Sequence, residues 1–266
     1  MVTPVVDAAD AFTNGRYLRF LELVRDDRGR YDLSTVEELI PLAEVPVREL
    51  DGKSPSSALL MLGRYVWDVD ERLAIAMFCE AAEAGAEGAS AILGESLTWM
   101  GDHAEAVERL VRALERGEGN PSRVQGLLGE SLWKGGEESE VGRIEALLRA
   151  GMESSSEFGI PLARLMLQQE RDDEAASLLT DLVDAGVYGA ALLLGNVLSH
   201  SPGTRAAARA AYLAGIASGD AHSAHNLAAM LLEQGDEDGA RHYHRRAQVM
   251  GDHSALGPSS TTDGVA

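Results

Sequence analysis

Between residues 56 and 252 the apolar positions form a repeated pattern. A small residue follows a leucine at Gly63, Gly94, Gly129, Ala163, Gly195 and Ala228, and successive landmarks stand 31, 35, 34, 32 and 33 residues apart. One residue before and three after each landmark stand Leu62 and Val66, Leu93 and Leu97, Leu128 and Leu132, Leu162 and Met166, Leu194 and Leu198, Leu227 and Leu231. A separation of four puts each pair on one helical face, so every copy is predicted to begin with a helix burying the same stripe. Only 45% of the chain is hydrophobic, so twelve apolar residues at twelve positions exceed what composition alone supplies.

A second helix follows in each copy. Twelve residues past the landmark come Ile75, Ala106, Val141, Ala175, Ala207 and Ala240; seven later come Ala82, Ala113, Leu148, Leu182, Ala214 and Ala247. Antiparallel helices joined by a short turn approach closely where side chains are small, and alanine permits this without glycine's helix penalty. Turn residues stand between the two helices at Gly101-Asp102, Gly135-Gly136, Arg171-Asp172-Asp173, Ser201-Pro202-Gly203 and Gly235-Asp236. Glu145 falls where the third copy should be apolar, which predicts a one-residue shift of its second helix.

A period near 34 with Leu-Gly in the first helix and alanine twice in the second resembles the tetratricopeptide repeat. The segments 78-FCEAAEAGAEGAS-90 and 240-ARHYHRRAQVMGD-252 are similar to the related Sel1-like pattern. The chain departs from Sel1-like repeats in lacking their longer inter-helix loop, and from strict tetratricopeptides in lacking the proline that closes each unit. The resemblance implies an all-α fold: a right-handed superhelical solenoid of stacked antiparallel helix pairs, six repeats over 56–252. Residues 1–55 are expected to form an atypical helical cap, with a divergent extra repeat as the alternative, and 253–266, which are small, polar and Gly/Pro-punctuated, a disordered tail.

In such a solenoid the first helices line a concave surface. The resemblance assigns to it the positions six and three before each landmark and one, four and five after it. All three tryptophans of the chain, Trp67, Trp99 and Trp133, land in this stripe, together with Arg64, Glu95, Glu130, Arg164 and Asn196. These eight are the expected protein-binding residues. Tryptophan offers a large apolar face and an indole donor, so the rings either anchor a partner or fill space between adjacent first helices. Arg64 and Arg164 either hold a partner's carboxylate or pair within the protein with Glu95 or Glu130.

Composition narrows the function classes. The formal net charge of −20 excludes nonspecific nucleic-acid binding, since phosphates are held by clustered Lys and Arg, and it admits a basic partner. The single Cys79 excludes an internal disulfide framework and a Cys-based zinc site. His222 and His225 share a helical face at i, i+3, and helix pairing could bring His242 or His244 opposite them, yet no metalloenzyme signature accompanies them, so no metal or cofactor is expected. Only two lysines are present, and Gly-Glu-Ser at 94–96 and 129–131 marks a repeat rather than a nucleophile elbow; no catalysis is expected. The start, MVTPVVDAADAF, has no charged region followed by an apolar core, and no run of about 18 apolar residues occurs, which predicts a cytoplasmic protein that does not enter membranes. The function expected is a non-catalytic interaction scaffold or adaptor holding a peptide or partner helix in its concave groove. The alternative is a regulatory sensor whose superhelix is rearranged by a peptide or small ligand.

Overall fold

The computed structural model describes residues 54–67, 71–137 and 140–252. Twelve α-helices and no strand occur among them. In chain order they are Pro55–Val66 (α1), Glu71–Glu83 (α2), Ala89–Met100 (α3), His103–Arg116 (α4), Pro121–Lys134 (α5), Val141–Met152 (α6), Gly159–Gln168 (α7), Asp172–Asp184 (α8), Ala190–Ser199 (α9), Arg205–Ala217 (α10), Ala221–Glu233 (α11) and Glu237–Val249 (α12). The expected cap, save its last two residues, and the expected tail lie outside the described residues.

The chain divides into two compact units inside α6, between Leu147 and Leu148. In the first, α1 packs on α2, α3 on α4, each second helix on the next first helix, and α3 directly on α5. The second repeats the scheme with α7 on α8, α9 on α10, α11 on α12, and α9 on α11. Within each unit these helices touch their neighbours in sequence, and two pairs of first helices, α3 with α5 and α9 with α11, also meet directly. This is an all-α solenoid of stacked helix pairs.

Local signals start the helices where the sequence places them. Ser54 and Asn120 accept hydrogen bonds from the Ser57 and Arg123 amides (both 3.3 Å), each followed by a proline at the first helical position. Asp220 and Asp236 serve α11 and α12 alike, accepting from the His222 amide at 3.1 Å and the Gly239 amide at 2.9 Å. Like α9, which follows left-handed Gly189 (φ 82°), helix α3 has a left-handed glycine before it, Gly88 (φ 79°), which supplies no side chain. Glu118, from the linker between α4 and α5, caps α3 instead, accepting from the Ser90 amide (2.8 Å) and hydroxyl (3.3 Å).

The apolar pairs form the core. Each leucine or methionine of the repeated pairs whose side chain is described is buried, except half-buried Leu198. Burying one such side chain contributes about 1.5–3 kcal/mol relative to leaving it in water. Three of the four landmark glycines have a reason the pattern did not reveal. A Cβ added at Gly63, Gly94 or Gly195 would stand 2.4 Å from the Phe78 ring, 2.6 Å from Leu110 or 2.4 Å from the Tyr212 ring. A bulky side chain of the second helix lies directly on the first helix's bare backbone.

The second-helix register holds fully in the second, fourth and sixth copies, while Ile75 and Val141 of the first and third are only half-buried. Ala106, Ala113, Ala175, Leu182, Ala240 and Ala247 are all buried. Phenylalanine at Ala106 or Ala240 is expected to destabilise by roughly 1–3 kcal/mol through overpacking, read as a lowered melting temperature. In the fifth copy the register differs. Ala207 and Ala214 are exposed, while Ala208, Ala211 and Gly215 are buried, because a 3₁₀ turn at Pro202–Thr204 precedes α10 and moves its inward face on by one residue. In the third copy Ile144 is buried where Glu145 would have pointed inward, and Leu148 keeps its place; the expected shift is confined to that one turn.

Candidate interaction groove of the first unit

The first helices do not offer all five stripe positions to solvent. Three residues before the landmark, Leu60, Ala91 and Gly126 are buried. Four after it, Thr98 is buried: it donates to the Gly94 carbonyl at 2.8 Å and lies 2.8 Å from the Ser131 hydroxyl of α5. A hydroxyl has one proton, so Ser131 is the donor in that second bond. Trp67 and Trp133 occupy the same position in their copies and are half-buried; the Trp67 ring stacks on Phe78 at a centroid distance of 6.3 Å and an interplanar angle of 22°. Trp99 stands one residue further round, beside the left-handed Gly101 that ends α3, and 76% of it is exposed.

Around Trp99 lies a hollow of about 550 Å³, whose lining includes Arg64, Trp67, Phe78, Ile92, Glu95 and Met100. A second hollow of about 630 Å³ shares Arg64, Ile92 and Glu95 with it and continues past Glu87 to Arg123 and Leu127. The two form one groove crossing α1, α3 and α5 within the first unit. Four of the expected residues, Arg64, Trp67, Glu95 and Trp99, meet there. Phe78, Ile92 and Met100 were not foreseen. Phe78 belongs to a second helix, and exposed Met100 differs from any other apolar residue only by following Trp99 at the helix end.

The ion pairs differ from those the sequence suggested. Glu95 pairs with Arg123 of α5, and Glu130 with Lys134 at 2.7 Å along its own helix. Arg64 is exposed and has no ion pair among the described residues. Glu130 and Trp133 lie on α5 outside the lining of both hollows.

The second unit holds the remaining two expected residues. Arg164 is exposed on α7. The side-chain carbonyl of Asn196 accepts from the Tyr212 hydroxyl (2.9 Å) and from the Asn226 amide (2.7 Å), tying α9 to α10 and α11. Burial pushes the Tyr212 phenol up from its ordinary pKa and so keeps it a neutral donor. His222 and His225 direct Nδ1 toward the buried Asp252 at 3.4 and 3.6 Å. Among the described residues no three His, Cys, Asp or Glu side chains are grouped to hold a metal ion, and no helix is long and apolar enough to cross a membrane.

Cys79, half-buried on α2, is a poor nucleophile, because burial pushes its thiol above the usual range. Its alkylation at neutral pH is expected to run slower than that of an unstructured thiol, with a pH midpoint displaced upward; timed labelling across pH checks this.

The family model for the tetratricopeptide repeat matches residues 221–247, the span of α11 and α12. A tetratricopeptide repeat protein from Parabacteroides merdae aligns over 94% of this chain and 93% of its own with a TM-score of 0.57 at 12% identity. The chain has the fold of tetratricopeptide-repeat proteins. The C-terminal part of a tetratricopeptide repeat-containing protein from Cytophaga hutchinsonii aligns over 93% of this chain and 95% of its own, with a TM-score of 0.53 and 12% identity. No curated protein matches the sequence. Tetratricopeptide-repeat folds generally serve as non-catalytic scaffolds for protein interaction.

Proposed function

We propose that the chain is a non-catalytic interaction scaffold whose partner lies, as a peptide or a helix, in the first-unit groove. The observation that supports this reading is Trp99: an indole 76% exposed at the edge of a hollow floored by Phe78 and Ile92. Large exposed apolar surface that no neighbour covers marks an interaction site, and tryptophan is the residue type most enriched among binding anchors. Arg64, beside it and free of ion pairs among the described residues, adds a polar contact that fixes orientation. Of the remaining expected residues, Glu130 and Trp133 extend the surface along α5, whereas Asn196 serves the packing of the second unit and Arg164 is exposed there.

The test is a comparison of baits. Wild-type chain and an Arg64→Ala/Trp99→Ala variant with the same melting temperature are presented to extract of the native host, and recovered proteins are quantified. A partner captured by the first and lost by the second is the expected result. Identical recoveries would remove the groove from the function.

A further inference from the structure

The charges along the groove point to the chemistry of its occupant. This step rests on the groove being the binding surface. Four carboxylates line the two hollows, Glu71, Glu87, Glu95 and Glu118, against two guanidinium groups, Arg64 and Arg123. Arg123 is already held by Glu95, and Glu118 is occupied by Ser90 and by Arg116 at 3.6 Å. Glu71 and Glu87 remain exposed, with no hydrogen bond or ion pair among the described residues. Glu71 borders only the hollow of Trp99 and Glu87 only the other, while Arg64 borders both. The order along the groove is therefore carboxylate, cation beside apolar floor, carboxylate.

We propose that the groove binds a basic amphipathic segment of another protein. A bulky apolar side chain enters between Trp67 and Trp99, and lysine or arginine residues on both sides of it reach Glu71 and Glu87. The apolar floor of Phe78 and Ile92 asks for an uncharged side chain opposite Arg64, because a cation there would be repelled and desolvated together. Net charge supports the same choice of partner. Two copies of a chain carrying −20 repel each other, and phosphate surfaces are repelled likewise, whereas a basic segment is drawn in from beyond contact distance.

Two synthetic peptides of about fourteen residues, roughly 20 Å as helices, test this. Both carry leucine on one face; one has lysine and the other glutamate elsewhere, and neither contains an aromatic residue. Each is titrated into the full chain and followed by intrinsic tryptophan fluorescence and by calorimetry, at low and high salt. The expected result is binding of the Leu/Lys peptide alone, weakened at least about tenfold by Trp99→Ala and by Glu71→Gln/Glu87→Gln. A Glu237→Gln/Asp238→Asn variant on α12 of the second unit should bind as the wild type does. Equal or tighter binding of the Leu/Glu peptide overturns the basic partner and leaves the groove standing. Leu/Lys binding that salt abolishes but Trp99→Ala does not touch is adsorption to an acidic surface and overturns both. Binding of neither peptide, by a chain that melts normally, overturns the basic partner; the bait comparison then decides the groove on its own.

Discussion

Alanine at Gly195 is expected to destabilise the second unit by about 1–3 kcal/mol, although alanine is the better helix former by about 1 kcal/mol. Its Cβ would stand 2.4–2.9 Å from three atoms of the Tyr212 ring. That ring is buried, and its hydroxyl is held by Asn196, the residue next to Gly195, so the ring cannot swing aside without losing the bond. Gly142 on α6 supplies the opposite case. It is exposed, and a Cβ there would meet nothing within 4 Å, so Gly142→Ala should stabilise by roughly 0.5–1 kcal/mol. Denaturant melts of both variants measure the difference in sign. Stabilisation by both would show that the landmark glycine is not there to seat Tyr212.

Trp99→Ala is expected to lower affinity for the groove's partner by about 2 kcal/mol or more, roughly thirty-fold, while leaving the melting temperature within error of the wild type. The reason is its exposure: the ring contributes almost nothing to the folded core and has its whole face to offer a ligand. Trp67→Ala should behave differently, because its ring stacks on buried Phe78 and its loss opens a gap in α1 against α2. That variant is expected to lose stability as well as affinity. Paired melting and titration of the two proteins separate the roles; unchanged affinity in both would move the binding surface elsewhere.

The repeat was legible because one requirement, an apolar pair four apart beside a small residue, recurs in every copy at nearly constant spacing. The second helices were legible only while the linker kept its length. The 3₁₀ turn at Pro202–Thr204 changed the count, and Ala207 and Ala214, correct by arithmetic, came out on the solvent side. The groove was harder to read. A helical face can be drawn from spacing, but how adjacent first helices converge cannot, and it is that convergence which buries Thr98 against Ser131 while leaving Trp99 open. Arg123 could be placed on the stripe, yet its pairing with Glu95 depends on the offset between α3 and α5. The meaning of the landmark glycines was hidden for a similar reason, since Phe78, Leu110 and Tyr212 share neither residue type nor a fixed distance from the glycine they cover.

The borrowed cap of α3 ties one repeat to the next. Amides in the first turn of a helix have no partner within it and ordinarily exchange their protons with water freely. The Ser90 amide is held instead by Glu118, which lies past the end of α4 and just before α5. Its exchange rate therefore reports on a linker twenty-eight residues downstream rather than on its own helix. A chain ending at Arg116 would still contain every residue of α3 and α4, yet it would leave that amide to the solvent and fray α3 from its start. Local order here belongs to the boundary between repeats, and this helix pair depends on the linker after it to complete its first turn.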